Sequence, residues 1–505
     1  MFVDNPNVIT HEVKEYWIEA GKSIQEQIQP FGMEGTRDVK MEVSNIPGLS
    51  ILSMIDKLLN YPHGCIEQTI SAAFPQILIN DLFELTTKQK EEANYNVQKA
   101  IEKLRLFQLA DGSFSYWPGS PSYSDWGTSY AGHFMIEARK AGFRIPEDLI
   151  QNWYKFQKSK SNLSLKILKQ TEYWYPTNYA YRLYTLALYG KPDWSGMNQL
   201  FLVKTENTFS KMLLAGAYAL SGKKDIAESL LNQGPLEFKA YRDDFYNFGS
   251  DIRDQAMLVQ VLVLLEKNQE ALGLLNKIIK KSNSDYYSTQ EQAMILISLS
   301  AISGKSKLGK MDFEYSWNAN KAQIQTAKEL FDLKLEPASK QIFSIKNNSK
   351  RPIAVKIIQY GKDFIVSDQN SSKGLKMNVQ LPKSGKALQI GDELEAVVVV
   401  TNNSNSGRLS NIALTTVFPS GFEIENRRIA GIEDDKTPVD YQDIRDDRVL
   451  SYFSLDQNQS IELRFNLTAA YPGNYIAPYF YCESMYDPSI YAKFRSGSYT
   501  IVPRK

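Results

Sequence analysis

Tyr61-Pro62-His63-Gly64-Cys65-Ile66-Glu67-Gln68-Thr69 joins two apolar, helix-patterned segments. Before it, Ile51, Leu52, Met54, Ile55, Leu58 and Leu59 recur at i, i+3, i+4 spacing; after it, Ile66, Ile70, Ala73, Phe74, Ile77 and Leu78 do the same. The string therefore reads as a turn into the start of a helix. Gly64 gives the backbone room for a tight approach. Cys65 and Gln68 are three residues apart and share one face of that helix. A thiolate aimed at a side-chain amide can expel ammonia and leave an internal thioester. Such a bond is a reactive acyl donor, because sulfur overlaps poorly with the carbonyl and thiolate leaves well. Glu67, between the two, is placed to assist proton transfer, and burial would keep water off the bond. Taken alone, C-x-x-Q is weak, since the ordinary fate of a single cysteine is to be a buried small apolar residue.

Outward from this string, residues from about 49 to 303 read as helical almost throughout. Short segments with a small residue among apolar ones recur, such as Tyr130-Ala131-Gly132, Tyr179-Ala180-Tyr181 and Gly216-Ala217-Tyr218. Alanines 131, 180, 217, 256 and 293 are 49, 37, 39 and 37 residues apart, the length of a helical hairpin. About twelve helices, or six hairpins, are expected. The repeat alone leaves an open solenoid and a closed α/α toroid both standing.

On either side the pattern changes to strands. Asp38 to Val43 alternates polar and apolar residues as a half-buried strand does. Beyond Gly304, strands are expected at 341–345, 353–358, 393–400, 411–417, 447–453, 460–467 and 498–502, with turn clusters between them. Several short strands of this kind suggest a β-sandwich. The expected divisions are 1–45 and 306–375 as two parts of one β-domain, 46–305 as the helical domain between them, and 376–505 as a second β-domain.

Composition excludes more than it identifies. The 505 residues carry 58 Lys+Arg against 57 Asp+Glu, a net charge of +1. That balance argues against a protein built to hold nucleic acid or an anionic membrane. No apolar run approaches the roughly 20 residues of a membrane helix. Two cysteines, Cys65 and Cys482, cannot make a disulfide framework. His11 and His133 stand apart from any ligand-spaced partner, and no phosphate- or dinucleotide-binding glycine loop is present, so neither metal nor cofactor is expected.

The complete string P-x-G-C-x-E-Q at a turn into a helix resembles the thioester signature of the alpha-2-macroglobulin and complement superfamily, and YPxGCxEQT looks like its bacterial branch. Asp111-Gly112-Ser113-Phe114-Ser115-Tyr116-Trp117, Ser288-Thr289-Gln290-Glu291-Gln292-Ala293, Phe418 to Asn426, Asp446 to Val449 and Glu483 to Pro488 are similar to further segments of bacterial members, in the same order. The resemblance implies an α/α-toroid thioester domain of about six hairpins inserted in a split CUB-like β-domain, followed by a macroglobulin-like β-sandwich. It implies a protease-trapping inhibitor, not an enzyme: a bait segment is cut, the thioester is exposed, and a lysine amine of the protease is captured covalently. Cys65 would supply the sulfur and Gln68 the acyl carbon. Tyr61 matches the aromatic residue that shields the bond, and Pro62, Gly64 and Glu67 match positions that shape the turn.

Two features depart from that pattern. His63 stands where an aromatic residue is more usual; it reads as a surface turn residue, or as an acid or base that alters the choice between amine and hydroxyl. The chain is also short for the family, which implies a C-terminal portion lacking upstream macroglobulin-like domains and the bait segment. The resemblance places the parent protein at the bacterial cell envelope, in the periplasm. The readings weighed against it are an α/α-toroid glycosidase or lyase using acids near Asp243, Asp244 and Asp251, a cysteine hydrolase pairing Cys65 with His63 or His133, and an adhesion or scaffold module.

Overall fold

The structure is a computed structural model. It describes residues 9–45, 54–55, 58, 64–82, 85–161, 176–203, 207–233, 238–243, 245–281, 287–303, 310–328, 330–362, 370–381, 387–425, 439–495 and 497–504. The chain divides into two compact units. One takes in His11–Phe31 and Asp38–Gln359, and the other is built mainly from Tyr360–Lys505.

Eleven helices are described in the first unit: α1 (Ile66–Leu82), α2 (Thr87–Lys103), α3 (Asp125–Lys140), α4 (Glu147–Ser161), α5 (Pro176–Leu188), α6 (Trp194–Val203), α7 (Thr208–Leu220), α8 (Lys224–Leu231), α9 (Asp251–Leu264), α10 (Asn268–Lys281) and α11 (Thr289–Ile302). They alternate in character. α3, α5, α7, α9 and α11 are buried nearly all round, whereas α2 and α4 bury one face only. A helix apolar on every side belongs inside a core, and one with a single apolar stripe belongs on its outside. The odd-numbered helices pack α1 on α3, α3 on α5, α5 on α7, α7 on α9, α9 on α11, and α11 back on α1. That last contact closes the ring and makes the repeat an α/α toroid.

The recurrent alanines explain how six inner helices fit around one axis. Ala131, Ala180, Ala217, Ala256 and Ala293 all lie on inner helices and are fully buried. The inner helices also run the same way. Ser124, Asn207, Ser250 and Ser288 cap α3, α7, α9 and α11, each accepting the backbone N–H three residues on. Side-chain bonds link these starts to one another, as between Ser250 and Glu291 or between Thr177 and Ser210. Helix ends supply the lining of the opposite mouth, where a cavity of about 680 Å³ lies among residues such as Glu137, Lys140, Leu188, Leu264 and Ser300.

The helical ring is an insertion. Strands β1 (Ile9–Ile18), β2 (Ser23–Ile28) and β3 (Asp38–Ser44) precede it. β4 (Met311–Trp317), β5 (Asn320–Thr326), β6 (Leu330–Leu335), β7 (Gln341–Asn347) and β8 (Ile353–Lys362) follow it. They form two four-stranded sheets, ordered β1-β8-β3-β6 and β2-β7-β4-β5, so strands from before and after the helices are neighbours in both. In the β3–β6 pair Val39, Met41 and Val43 face Leu335, Leu333 and Phe331. Their inward side chains share a core with Phe313, Trp317, Phe343 and Val355.

The second unit is a β-sandwich. One sheet holds β10 (Leu375–Gln380), β12 (Glu393–Asn402), β17 (Ser460–Ala469) and β14 (Phe422–Ile424). The other runs β15 (Tyr441–Ile444), β16 (Arg448–Leu455), β13 (Leu409–Val417), β19 (Tyr479–Ser484), β20 (Asp487–Arg495) and β9 (Ser371–Lys373). β11 (Leu388–Gln389), β21 (Ser498–Val502) and β18 (Gly473–Ile476) make a small third sheet. Val398, Val400, Leu414, Phe453, Phe465 and Phe480 are among the residues of the core. The division placed at 375/376 needs correcting. Ser371–Lys373 pairs with Tyr491–Lys493 and so belongs with this second unit. A three-residue polar edge strand ending at Gly374 has too little alternation to be told from a turn.

Candidate functional site

Cys65 occupies at α1 the place that Ser or Asn occupies at four other inner helices. The Thr69 N–H donates to the Cys65 carbonyl at 2.9 Å, and the Gln68 N–H donates to its Sγ at 3.5 Å. The thiol thus sits over the first turn of the helix, on the face that carries the Gln68 side chain. Cys65 is fully buried and Gln68 nearly so. Both terminal atoms of Gln68, Oε1 and Nε2, are buried without a hydrogen-bond partner. An unmet buried amide costs about 1–3 kcal/mol per group, so such a group calls for an explanation.

The turn is held from two sides. The Ile66 N–H donates to the carbonyl of Tyr116 at 3.0 Å. That ties the turn to the Asp111–Trp117 segment, which is itself folded by Asp111 accepting from the Ser113 N–H and hydroxyl. The Tyr116 ring stacks on Phe248 at 4.8 Å, and Phe248 adopts a φ of 52°. A bulky residue in the left-handed region is strained and persists only where its surroundings hold it. From below, Glu67 is fully buried and accepts from the Thr289 hydroxyl at 2.9 and 3.0 Å and from the Ser71 hydroxyl at 2.6 Å. Ser71 is in turn 3.1 Å from the Tyr130 hydroxyl. Burial, with the Glu67 charge nearby, pushes the Tyr130 phenol well above its ordinary range, so it stays protonated and can only act as a neutral hydrogen-bonding group. Glu67 therefore pins the first turn of α1 to the first turn of α11.

At the starts of inner helices, Arg253 lies over the Trp126 ring at 4.1 Å and bonds Asp254 and Gln290. Trp126 stacks on Tyr181 at 4.4 Å, adding an aromatic contact between α3 and α5. On the other side of α1, Gln68 borders a cavity of about 240 Å³, whose walls include Thr69, Ala72, Gln76, Lys99 and Lys103.

Of the residues expected at the site, Gly64, Cys65, Glu67 and Gln68 are brought together at the start of α1. Tyr61, Pro62 and His63 lie outside the described residues, as do Asp244 and the Tyr173-Trp174-Tyr175 cluster. His133 is not at the turn formed by Gly64 and Cys65. It is buried in mid-α3, with Nδ1 2.9 Å from the Tyr181 hydroxyl. Asp243 is spent on the backbone N–H groups of Phe245, Tyr246 and Asn247. Cys482 is a buried residue of β19, opposite Leu414 and Ala492. Among the described residues no cluster of His, Cys, Asp and Glu side chains is placed to hold a metal ion, and no helix is long and apolar enough to cross a membrane. Sequence reasoning missed Ser71 and Tyr130. The i, i+4 spacing of Glu67 and Ser71 was the available signal for the first, and nothing local announces the second.

Comparison with known proteins bears on the same two regions. The family model of the A-macroglobulin TED domain matches residues 41–164, and that of the bacterial alpha-2-macroglobulin MG10 domain matches residues 366–489. An alpha-2-macroglobulin of Pasteurella multocida is 26% identical over 483 residues, covering 86% of this chain and 24% of that protein. That of Escherichia coli is 23% identical over 529 residues, covering 94% of this chain and 30% of that protein.

The chain is similar to bacterial alpha-2-macroglobulins over most of its length.

Its fold agrees with that similarity. Native alpha-2-macroglobulin from E. coli, spanning domain MG7 to the C-terminus, superposes with a TM-score of 0.78 at 19% identity, over 98% of this chain and 82% of that one. Salmonella alpha-2-macroglobulin reacted with methylamine gives 0.79 at 19% identity, over 98% of this chain and 34% of that one. The toroid inserted in a β-domain and followed by a β-sandwich is the alpha-2-macroglobulin arrangement expected from the sequence. The chain spans 24% and 30% of the two curated relatives' lengths.

Proposed function

We propose that this chain carries the reactive thioester part of a protease-trapping inhibitor. The observation that carries the reading is the Gln68 carboxamide, buried against Cys65 with neither polar atom paired. A glutamine is a poor choice for such a place, and an acyl group bonded to sulfur is a good one. Attack of the Cys65 thiolate on the Gln68 amide carbon releases ammonia, removes the unmet Nε2 donor and closes a ring across the first helical turn. An incoming amine then adds to the same carbon, the C–S bond breaks, and the Cys65 sulfur takes a proton. The departing thiolate lies at the start of α1, where helix N–H groups present partial positive charge. Glu67, fixed by Ser71 and Thr289, keeps that turn in register with α11 throughout.

The relatives' name supports the inhibitor reading, and the Salmonella relative was solved after reaction with methylamine, the simplest amine nucleophile. Lysine amines of proteases are the proposed partners in the parent protein, which acts once per molecule and turns over no substrate. Its place is the periplasmic side of the cell envelope. Within the chain we assign 1–45 and a second segment beginning at 306 to the split β-domain and 46–305 to the thioester domain. The pairing of Ser371–Lys373 with Tyr491–Lys493 supports starting the C-terminal sandwich before Ser371. Labelled methylamine tests the reading. One equivalent is expected at position 68, and none in Cys65→Ala. Absence of label, or equal labelling of Cys65→Ala, would sink it.

A further inference from the structure

Lys103 ends α2 and borders the same cavity as Gln68. A Cβ built on Gly64 would lie 2.9 Å from its Nζ, so the amine reaches the residue preceding Cys65 and does so because that residue has no side chain. Its stem runs past Phe107, with Nζ 6.0 Å from the ring centre. The Gln68 carboxamide borders the same cavity and neither of its polar atoms has a hydrogen-bond partner.

We propose that Lys103 is the chain's own acyl acceptor, and that a thioester not captured from outside is transferred to it as a Gln68–Lys103 isopeptide. This rests on the thioester reading above. In the step, neutral Nζ adds to the Gln68 acyl carbon, the C–N bond forms and the C–S bond breaks. Cys65 leaves as thiolate and takes the proton the amine gives up. No other reactant is needed, and the mass does not change. A lysine amine is ordinarily protonated at neutral pH. Only the small neutral fraction attacks, so transfer is slow there and rises about tenfold per pH unit until the amine titrates. Proximity gives this one amine a high effective concentration over water and dilute external amines. The product staples α1 to α2, exposes the Cys65 thiol to alkylation and no longer reacts with methylamine.

The test is peptide mapping of the wild-type chain, fresh and after incubation at alkaline pH without added amine. The expected result is a linked peptide pair joining positions 68 and 103, one ammonia below the sum of its parts, growing as alkylatable Cys65 grows. Lys103→Arg keeps the cation and the stem but should give no such pair, its position 68 ending as the hydrolysed acid. The inference is overturned if fresh protein shows the ammonia-light mass yet incubation leaves Lys103 unmodified and position 68 only as the acid. If fresh protein carries an intact glutamine at 68 and methylamine labels nothing, the thioester reading falls and this one with it. The wild-type map decides between these whether or not the variant folds.

Discussion

Cys65 serves as a helix cap whose acceptor is a sulfur. At four other inner helices the capping atom is an oxygen of Ser or Asn, and the amide it receives is again the one three residues on. At α1 the residue three on is Gln68, so the ordinary geometry of a cap brings thiol and carboxamide to the same place. No special backbone is needed, only the exchange of Ser for Cys and a glutamine at the third position. Glu67 depends on its neighbours differently. Its carboxylate takes hydroxyl donors from two helices and sits wholly out of water. Glu67→Gln keeps the shape but removes the charge those hydroxyls solvate and turns one acceptor into a donor. It should lower stability by about 1–3 kcal/mol in urea unfolding and slow amine incorporation. An unchanged urea midpoint would show that the clamp between α1 and α11 is not there.

Inner helices need small residues where a neighbour crosses, and this explains both the repeat and its irregular spacing. Gly132 shows the constraint most sharply. A Cβ there would stand 2.1 Å from the Trp153 indole, whose Nε1 donates to the Thr128 carbonyl at 2.9 Å. Gly132→Ala must displace that ring. It should cost about 1–3 kcal/mol as overpacking, outweighing the gain of about 0.5–1 kcal/mol that alanine brings to a helix. Thermal denaturation of the variant checks the sign. Much at this scale was legible in advance: hairpin length and the strands at Asp38–Ser44, Glu393–Asn402 and Ser498–Val502. Ring closure was legible only through the family resemblance, because whether α11 meets α1 depends on the summed rotation of six hairpins, which no single spacing records. The strands β4 to β6 also went unread one by one. β4 does alternate, with Met311, Phe313 and Trp317 buried and Glu314 on the solvent side, but it is only seven residues long.

Acid sensitivity belongs to the bore of the toroid. His133 is buried among Phe74, Tyr181 and Tyr184, and burial drives its pKa down to about 3, with Lys140 adding to the effect. The unfolded chain protonates this group near its ordinary value of about 6.5, while the folded chain resists. Between those two values the unfolded state binds more protons, so stability present above pH 6.5 is lost as pH falls towards 3. Urea midpoints measured across that window should decline, and His133→Phe, a ring of similar size without the titrating nitrogen, should flatten the decline. A slope unaltered in the variant would place the acid sensitivity elsewhere.

For the molecule as a whole, the site was more legible than the fold, since Cys65, Gln68 and Glu67 announce themselves in nine residues of sequence. What the sequence withheld was the company they keep. Tyr130 meets Ser71 from 59 residues away, and Thr289 lies 222 residues from Glu67 and reaches it only because the ring closes. The central claim is that Cys65 and Gln68 are one covalent group in the folded chain. Intact mass of freshly purified protein under denaturing, mildly acidic conditions tests it most directly. The account predicts a mass one ammonia below that of the sequence, rising by one methylamine on treatment, with Cys65 alkylatable only afterwards. A chain at full sequence mass, with Cys65 alkylated before any amine is added, would contradict it.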